Sequence, residues 1–180
     1  MRILIDMDGV LVDYEQGFLD EWKRQHPEKT FVPIGKKKSF YHEDVYPEEY
    51  KEFVRAIPLT HNFYRNLKPI PGAIEAIKEI ASAGHEVFIC TSPSVTSNTC
   101  VQNKFEWVEE HLGKEWKHKI VLTKDKTVVN GDVLIDDKPR IDGIEGKPSW
   151  VHVLYDQPYN RWLKRVKRLT WENWREVLDV

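Results

Sequence analysis

Short apolar runs recur along the chain, at Ile3 to Ile5, Val87 to Cys90, Ile120 to Leu122, Val133 to Ile135 and Val151 to Leu154. They are rich in branched side chains and lack the alternation of a strand with one wet face. That predicts strands buried on both faces, as in a parallel sheet. Between them the spacing changes to that of helices. Ala73, Ile74, Ile77, Ile80 and Ala81 form one stripe, with Pro71 suited to its first turn and Gly84 to its end. Val101, Phe105, Val108 and Leu112 form another, ended by Gly113, and a last short helix is expected from about Thr170. Alternating strands and helices imply an α/β fold, a parallel sheet flanked by helices.

Residues 14 to 68 break this rhythm. Helical segments such as Phe18-Leu19-Trp22 and Tyr50-Phe53-Val54-Ile57 are punctuated by Pro27, Pro33, Pro47 and Pro58, and no strand pattern interrupts them. The expected organisation is a catalytic core of residues 1–13 and 68–180, with a small, mostly helical cap, residues 14–67, inserted after the first strand.

Polar residues collect where the strands end. Asp6 and Asp8 follow the first, Thr91 and Ser92 the second, Lys124 and Lys126 the third, and Asp136-Asp137 end the fourth. Ligands of open α/β sheets bind outside the carboxyl ends of the strands. By itself Asp6-Met7-Asp8-Gly9 reads equally as a strand-end turn or as a catalytic pair. An EF-hand is excluded, because Leu11 and Gly17 stand where it needs Gly and Glu. If Asp136-Asp137 converge with Asp6, two charges at 4 Å repel by about 4 kcal/mol at an effective dielectric of 20. Three carboxylates together therefore call for a cation. Oxygen ligands without nearby His or Cys favour magnesium. Thr91 and Ser92 offer hydroxyls to phosphate oxygens, and Lys126 a balancing positive charge.

The net charge of -2 gives no reason to expect nucleic acid or a membrane surface as partner. Lys36 to Lys38 and the basic segment Arg161 to Arg168 read as solvated faces. Cys90 and Cys100 make neither a disulfide framework nor a zinc site, which suits a reducing, cytoplasmic setting. No apolar stretch approaches a membrane span, and Asp6 interrupts the first apolar run too early for a signal-peptide core. The seven histidines lack zinc-site spacing and are expected on the surface or in packing.

These residues resemble the motifs of the haloacid dehalogenase (HAD) superfamily. Asp6-x-Asp8 is similar to its first motif, Thr91 to its second, Lys126 to its third and Asp136-Asp137 to its fourth. The stretches Phe88 to Pro93, Leu122 to Val129, Leu134 to Lys138, Pro69 to Ala73 and Pro148 to Trp150 resemble the 5′(3′)-deoxyribonucleotidases of that superfamily. The resemblance runs nearly end to end and is looser between about residues 20 and 66. It implies a Rossmann-like core and a magnesium-dependent phosphomonoesterase acting on (deoxy)nucleoside monophosphates through an aspartyl-phosphate. Asp6 would be the nucleophile and Asp8 the general acid and base. The Asp6 side chain, the Asp8 carbonyl and Asp137 would hold the metal, with Asp136 in support and the choice within the Asp136-Asp137 pair left open by the resemblance. Thr91, Ser92, Lys124 and Lys126 would hold phosphate, and Tyr14, Phe40, Tyr41 and Phe63 the base and sugar. A family tryptophan corresponds to Pro58 and a family arginine to Lys124. The implied partner is a small nucleotide, with room for a homodimer. Other readings are a HAD phosphatase acting on a sugar phosphate or phosphoglycolate, or on nucleic-acid ends. A non-catalytic binding module is disfavoured because Asp6, Asp8 and Lys126 are all present.

Overall fold

The computed structural model describes residues 1–179. Its sheet contains β1 (Arg2–Ile5), β2 (Glu86–Thr91), β3 (Ile120–Leu122), β4 (Val133–Asp136), β5 (Val151–Tyr155) and β6 (Arg168–Leu169). All neighbours are parallel, in the order β3-β2-β1-β4-β5-β6. β1 lies between β2 and β4, with Ile3, Leu4 and Ile5 wholly buried, as a strand covered on both faces requires. The strand order reverses beside β1, which makes that point the place for a ligand. β6 escapes sequence detection because two residues carry no period.

The helix α4 (Ala73–Ser82) buries Ala73, Ala76, Ile77 and Ile80. In α5 (Cys100–His111) the inward face differs from the stripe expected. Val101 is 40% exposed, and the helix buries Cys100, Asn103, Lys104, Trp107 and Val108. Trp107 sets the phase, because its indole removes far more area from water than a valine does. Its N–H also donates to the Leu67 carbonyl at 2.7 Å. The last helix, α6 (Trp174–Leu178), starts later than expected. Residues 170–173 form a turn instead, in which the Asn173 side chain accepts from the Thr170 amide at 2.7 Å.

Residues 14–67 hold α1 (Tyr14–Gln25), α2 (Lys51–Ala56), α3 (Phe63–Asn66) and four 3₁₀ turns, without a strand. Asp13 caps α1 by accepting from the Gln16 amide at 3.0 Å. The segment leaves and rejoins the sheet through a short neck. There Asp13 N–H donates to the Lys68 carbonyl and Ile70 N–H to that of Leu11, both at 2.8 Å. Phe18, Trp22, Tyr46, Val54 and Ile57 join the same apolar cluster as Ile3 and Ile5, so the insertion and the sheet share one continuous core.

Candidate active site

Strand register assembles the site. Ile5 stands opposite both Ile89 of β2 and Ile135 of β4, so the residues that follow emerge at one level. The Asp6 amide donates to the Ile135 carbonyl at 2.9 Å, extending this alignment to the acid itself. Beyond it Gly9 takes φ +76°, and the amides of Leu11 and Val12 fold back to the Met7 carbonyl at 2.9 Å. Gln157 Nε2 donates to the Gly9 carbonyl at 2.8 Å, and Trp171 Nε1 to that of Val10 at 2.7 Å. The loop that carries both motif-like acids is therefore pinned from the far end of the chain.

Asp6, Asp136 and Asp137 each offer a carboxylate oxygen, all within 4.8 Å of one another. Lys126, in the 3₁₀ turn after β3, reaches Asp6 at 2.8 Å and Asp136 at 2.6 Å. Burial opposes its charge, but the two acids outweigh that effect and hold the ammonium above its ordinary pKa. Asp137 receives the Tyr159 hydroxyl on Oδ2, and Asn160 Nδ2 donates to its backbone carbonyl at 2.8 Å. Burial, then Asp136 and Asp6, push the Asp137 carboxyl well above its usual range, and its Oδ1 is buried without a partner. An orphaned oxygen within a surplus of like charge is what a hard cation would satisfy, so these residues fit a magnesium-like ion.

The Asp8 carboxylate points elsewhere. Its Oδ2 accepts from Lys104 Nζ at 2.6 Å, and the same ammonium donates to the Thr91 hydroxyl at 2.9 Å. Burial, opposed by Lys104 and reinforced by Asp6, raises the Asp8 pKa. Lys104 is wholly buried and was not singled out by its sequence pattern. The available signal was its spacing, four residues after Cys100 and three before Trp107, which places a lysine in an apolar face.

A cleft of about 670 Å³ opens over the acids. Of the expected substrate residues, Tyr14, Phe40, Tyr41, Ser92, Lys124 and Lys126 line it. Thr91 and Phe63 do not. Thr91 is fully buried behind Lys104, while Phe63 is buried edge-on against Tyr14 with ring centroids 5.5 Å apart. The Ser92 hydroxyl is occupied by the Thr123 carbonyl at 2.9 Å. Lys138 also lines the cleft, with its ammonium 5.7 Å from the Phe40 ring and 5.8 Å from that of Tyr41. Glu43 and Arg55, joined by an ion pair at 2.6 Å, also line it from the insertion, as do Glu15, His42, Pro58 and Tyr64. Lys138 closes the motif-like stretch that begins at Leu134 but was not singled out as a site residue, and Glu43 and Arg55 had no periodic or motif signal.

A parallel sheet with acids at the ends of its central strands, beneath an insertion after β1, defines the HAD hydrolase fold. A HAD family hydrolase from Deinococcus radiodurans R1, solved with bound phosphate and sodium, shares it with a TM-score of 0.62. That match is 14% identical and covers 98% of this chain and 94% of that one. Within this class the chain belongs to the family described as 5′ nucleotidase, deoxy (Pyrimidine), cytosolic type C protein, whose profile matches residues 1–180. It is 42% identical to the human cytosolic-type 5′(3′)-deoxyribonucleotidase over 99% of this chain and 94% of the relative. With the human mitochondrial 5′(3′)-deoxyribonucleotidase it shares 40% identity over 99% and 82%. The chain is accordingly a phosphoric-monoester hydrolase of the nucleotidase type. Among the described residues no helix is long and apolar enough to cross a membrane.

Proposed function

We propose that the protein dephosphorylates (deoxy)nucleoside monophosphates with magnesium, through a phosphorylated Asp6, in the cytoplasm. The observation that carries this reading is the convergence of Asp6, Asp136, Asp137 and Lys126 at the floor of a cleft whose wall holds Tyr14, Phe40 and Tyr41. Residues 14–67 would act as the cap that selects the leaving group. The Asp6 carboxylate attacks phosphorus in line, a new P–O bond forms, and the bond to the nucleoside oxygen breaks. Asp8 protonates that oxygen, and its raised pKa supports the role. It then takes a proton from the water that attacks the phosphorylated Asp6, releasing inorganic phosphate and restoring the carboxylate.

Asp6, Asp137 and the Asp8 carbonyl would hold magnesium, with Asp136 in support. The ion would offset the charge of the carboxylates and the phosphate together. Lys126 neutralises the same charge, Lys104 orients Asp8, and Lys124 faces the phosphate from the cleft wall. Base–aromatic stacking, roughly 1–3 kcal/mol per base, would retain different nucleosides on the Phe40-Tyr41 lip.

The test is a hydrolysis panel of 5′- and 3′-monophosphates, ribo and deoxy, beside sugar phosphates and phosphorylated oligonucleotides, with magnesium and with EDTA. Deoxynucleoside monophosphates should be turned over fastest, EDTA should silence the reaction, and added magnesium should restore it. Equal or better turnover of sugar phosphates or oligonucleotide ends would overturn the assignment.

A further inference from the structure

The lysine run Lys36 to Lys38 behaves as a solvated face at its two outer positions, where both residues are exposed. Lys37, between them, is only 3% exposed. A buried ammonium is unfavourable unless its three N–H groups find partners. Lys37 Nζ donates to Glu15 Oε1 at 2.7 Å and to the Phe40 carbonyl at 2.9 Å. It also lies 4.5 Å from the centroid of the Tyr159 ring, so its third direction meets an aromatic face.

Each partner comes from a different part of the molecule. Glu15 belongs to α1, immediately after the loop that carries Asp6 and Asp8. Phe40 begins the aromatic lip of the cleft. Tyr159 sits in the turn after β5 and donates its hydroxyl to Asp137. The Phe40 ring meets the Tyr159 ring edge-on at 5.9 Å. On the other side of the lip His42 is stacked on Phe18, 3.7 Å between centroids, with Nε2 3.3 Å from the same Glu15 oxygen. Lys37 does not line the cleft, so neither phosphate nor base would touch it.

Building on the nucleotidase reading above, we propose that Lys37 is a positioning residue that holds the Phe40-Tyr41 lip at the distance from the acid cluster that a nucleoside monophosphate spans. Its loss should weaken the hold on the nucleoside while leaving the phosphate end of the site alone. Inorganic phosphate occupies only that end, and as a competitive inhibitor it reports on it separately.

The test compares the parent with Lys37→Met, which removes the ammonium and leaves Glu15, itself part of the cleft lining, in place. Lys37→Gln serves as a second variant, still able to donate locally but too short to keep both of its oxygen partners. Thermal melts establish that each is folded. Expected is a rise of tenfold or more in KM for a deoxynucleoside 5′-monophosphate, with the Ki of inorganic phosphate and kcat each within about twofold of the parent. A parent-like nucleotide KM in either folded variant, or a phosphate Ki rising in step with KM, would overturn the assignment to Lys37 alone. A parent inactive on every nucleoside monophosphate would overturn the nucleotidase reading, and this proposal with it.

Discussion

Replacing Gly9 by alanine should damage the acid cluster far more than it damages the fold. Gly9 holds φ +76°, and a side chain in that left-handed region costs roughly 1–2 kcal/mol. A protein of this size loses about 2–4 °C of Tm per kcal/mol, so the backbone effect alone lowers Tm by roughly 2–8 °C. The larger effect is local. A Cβ on Gly9 would overlap Asp137 Oδ2 and stand 2.9 Å from Asp137 Cγ and 3.2 Å from the Tyr159 hydroxyl. Neither neighbour is a flexible surface group, since both are buried and tied to each other. Asp137 must therefore retreat by several tenths of an ångström, taking its unpartnered Oδ1 with it. Misplacements on the order of 1 Å at a reacting centre can cost about 10²-fold in rate. Titration calorimetry with magnesium, turnover of a deoxynucleoside monophosphate and a thermal melt would together read the effect. Expected are a clear loss of magnesium affinity, a fall in kcat/KM approaching 100-fold, and a modest drop in Tm. Parent-like magnesium binding and turnover in a variant that shows the Tm drop would refute Asp137 as a metal-holding residue.

Lys104→Met removes the ion-pair partner of Asp8, whose side chain is 27% exposed at the cleft, so Tm should fall by less than the loss of about 3–5 kcal/mol for a fully buried pair implies. A Tm within 2 °C of the parent would show that the pair contributes little. Tyr41 is 56% exposed on the lip, so Tyr41→Ala should leave Tm nearly unchanged and raise nucleotide KM by roughly 5- to 100-fold through lost stacking. Phe63→Leu should do the opposite, lowering Tm with little change in KM; kinetics and melts on both variants check the contrast. Burial pushes the Glu15 pKa up, but His42 and Lys37 outweigh it and leave the folded value below the ordinary 4.5. Its stabilisation is therefore present above pH 4.5 and lost as pH falls through the lowered value. Acid melts of Glu15→Gln should fall less steeply with pH than those of the parent, and equal slopes would contradict that ion-pair role.

Much of the architecture was legible because buried strands declare themselves. Val133-Leu134-Ile135 and Ile3-Leu4-Ile5 have no polar face, so a parallel sheet was the consistent reading, and the acids behind them share its edge once register is set. Features that depend on which of two apolar faces wins were harder to read. The stripe through Val101 was plausible until the larger Trp107 rotated α5, and that rotation is also what brings Lys104 beside Asp8. Lys37 was hidden for a different reason. A charged run looks solvated unless a partner such as Glu15, far away in sequence, reaches into it. Phe63 and Thr91 have side chains suited to a binding site, yet their orientation against Tyr14 and Lys104 is a matter of tertiary packing.

The most direct measurement is acid quench during steady-state turnover of a deoxynucleoside monophosphate with magnesium, followed by peptide mapping by mass spectrometry. The predicted result is a phosphoryl group on the peptide carrying Asp6, absent from an Asp6→Asn variant that remains folded and no longer turns over. Undiminished turnover by Asp6→Asn, or a phosphoryl group on another residue of the parent, would contradict Asp6 as the nucleophile.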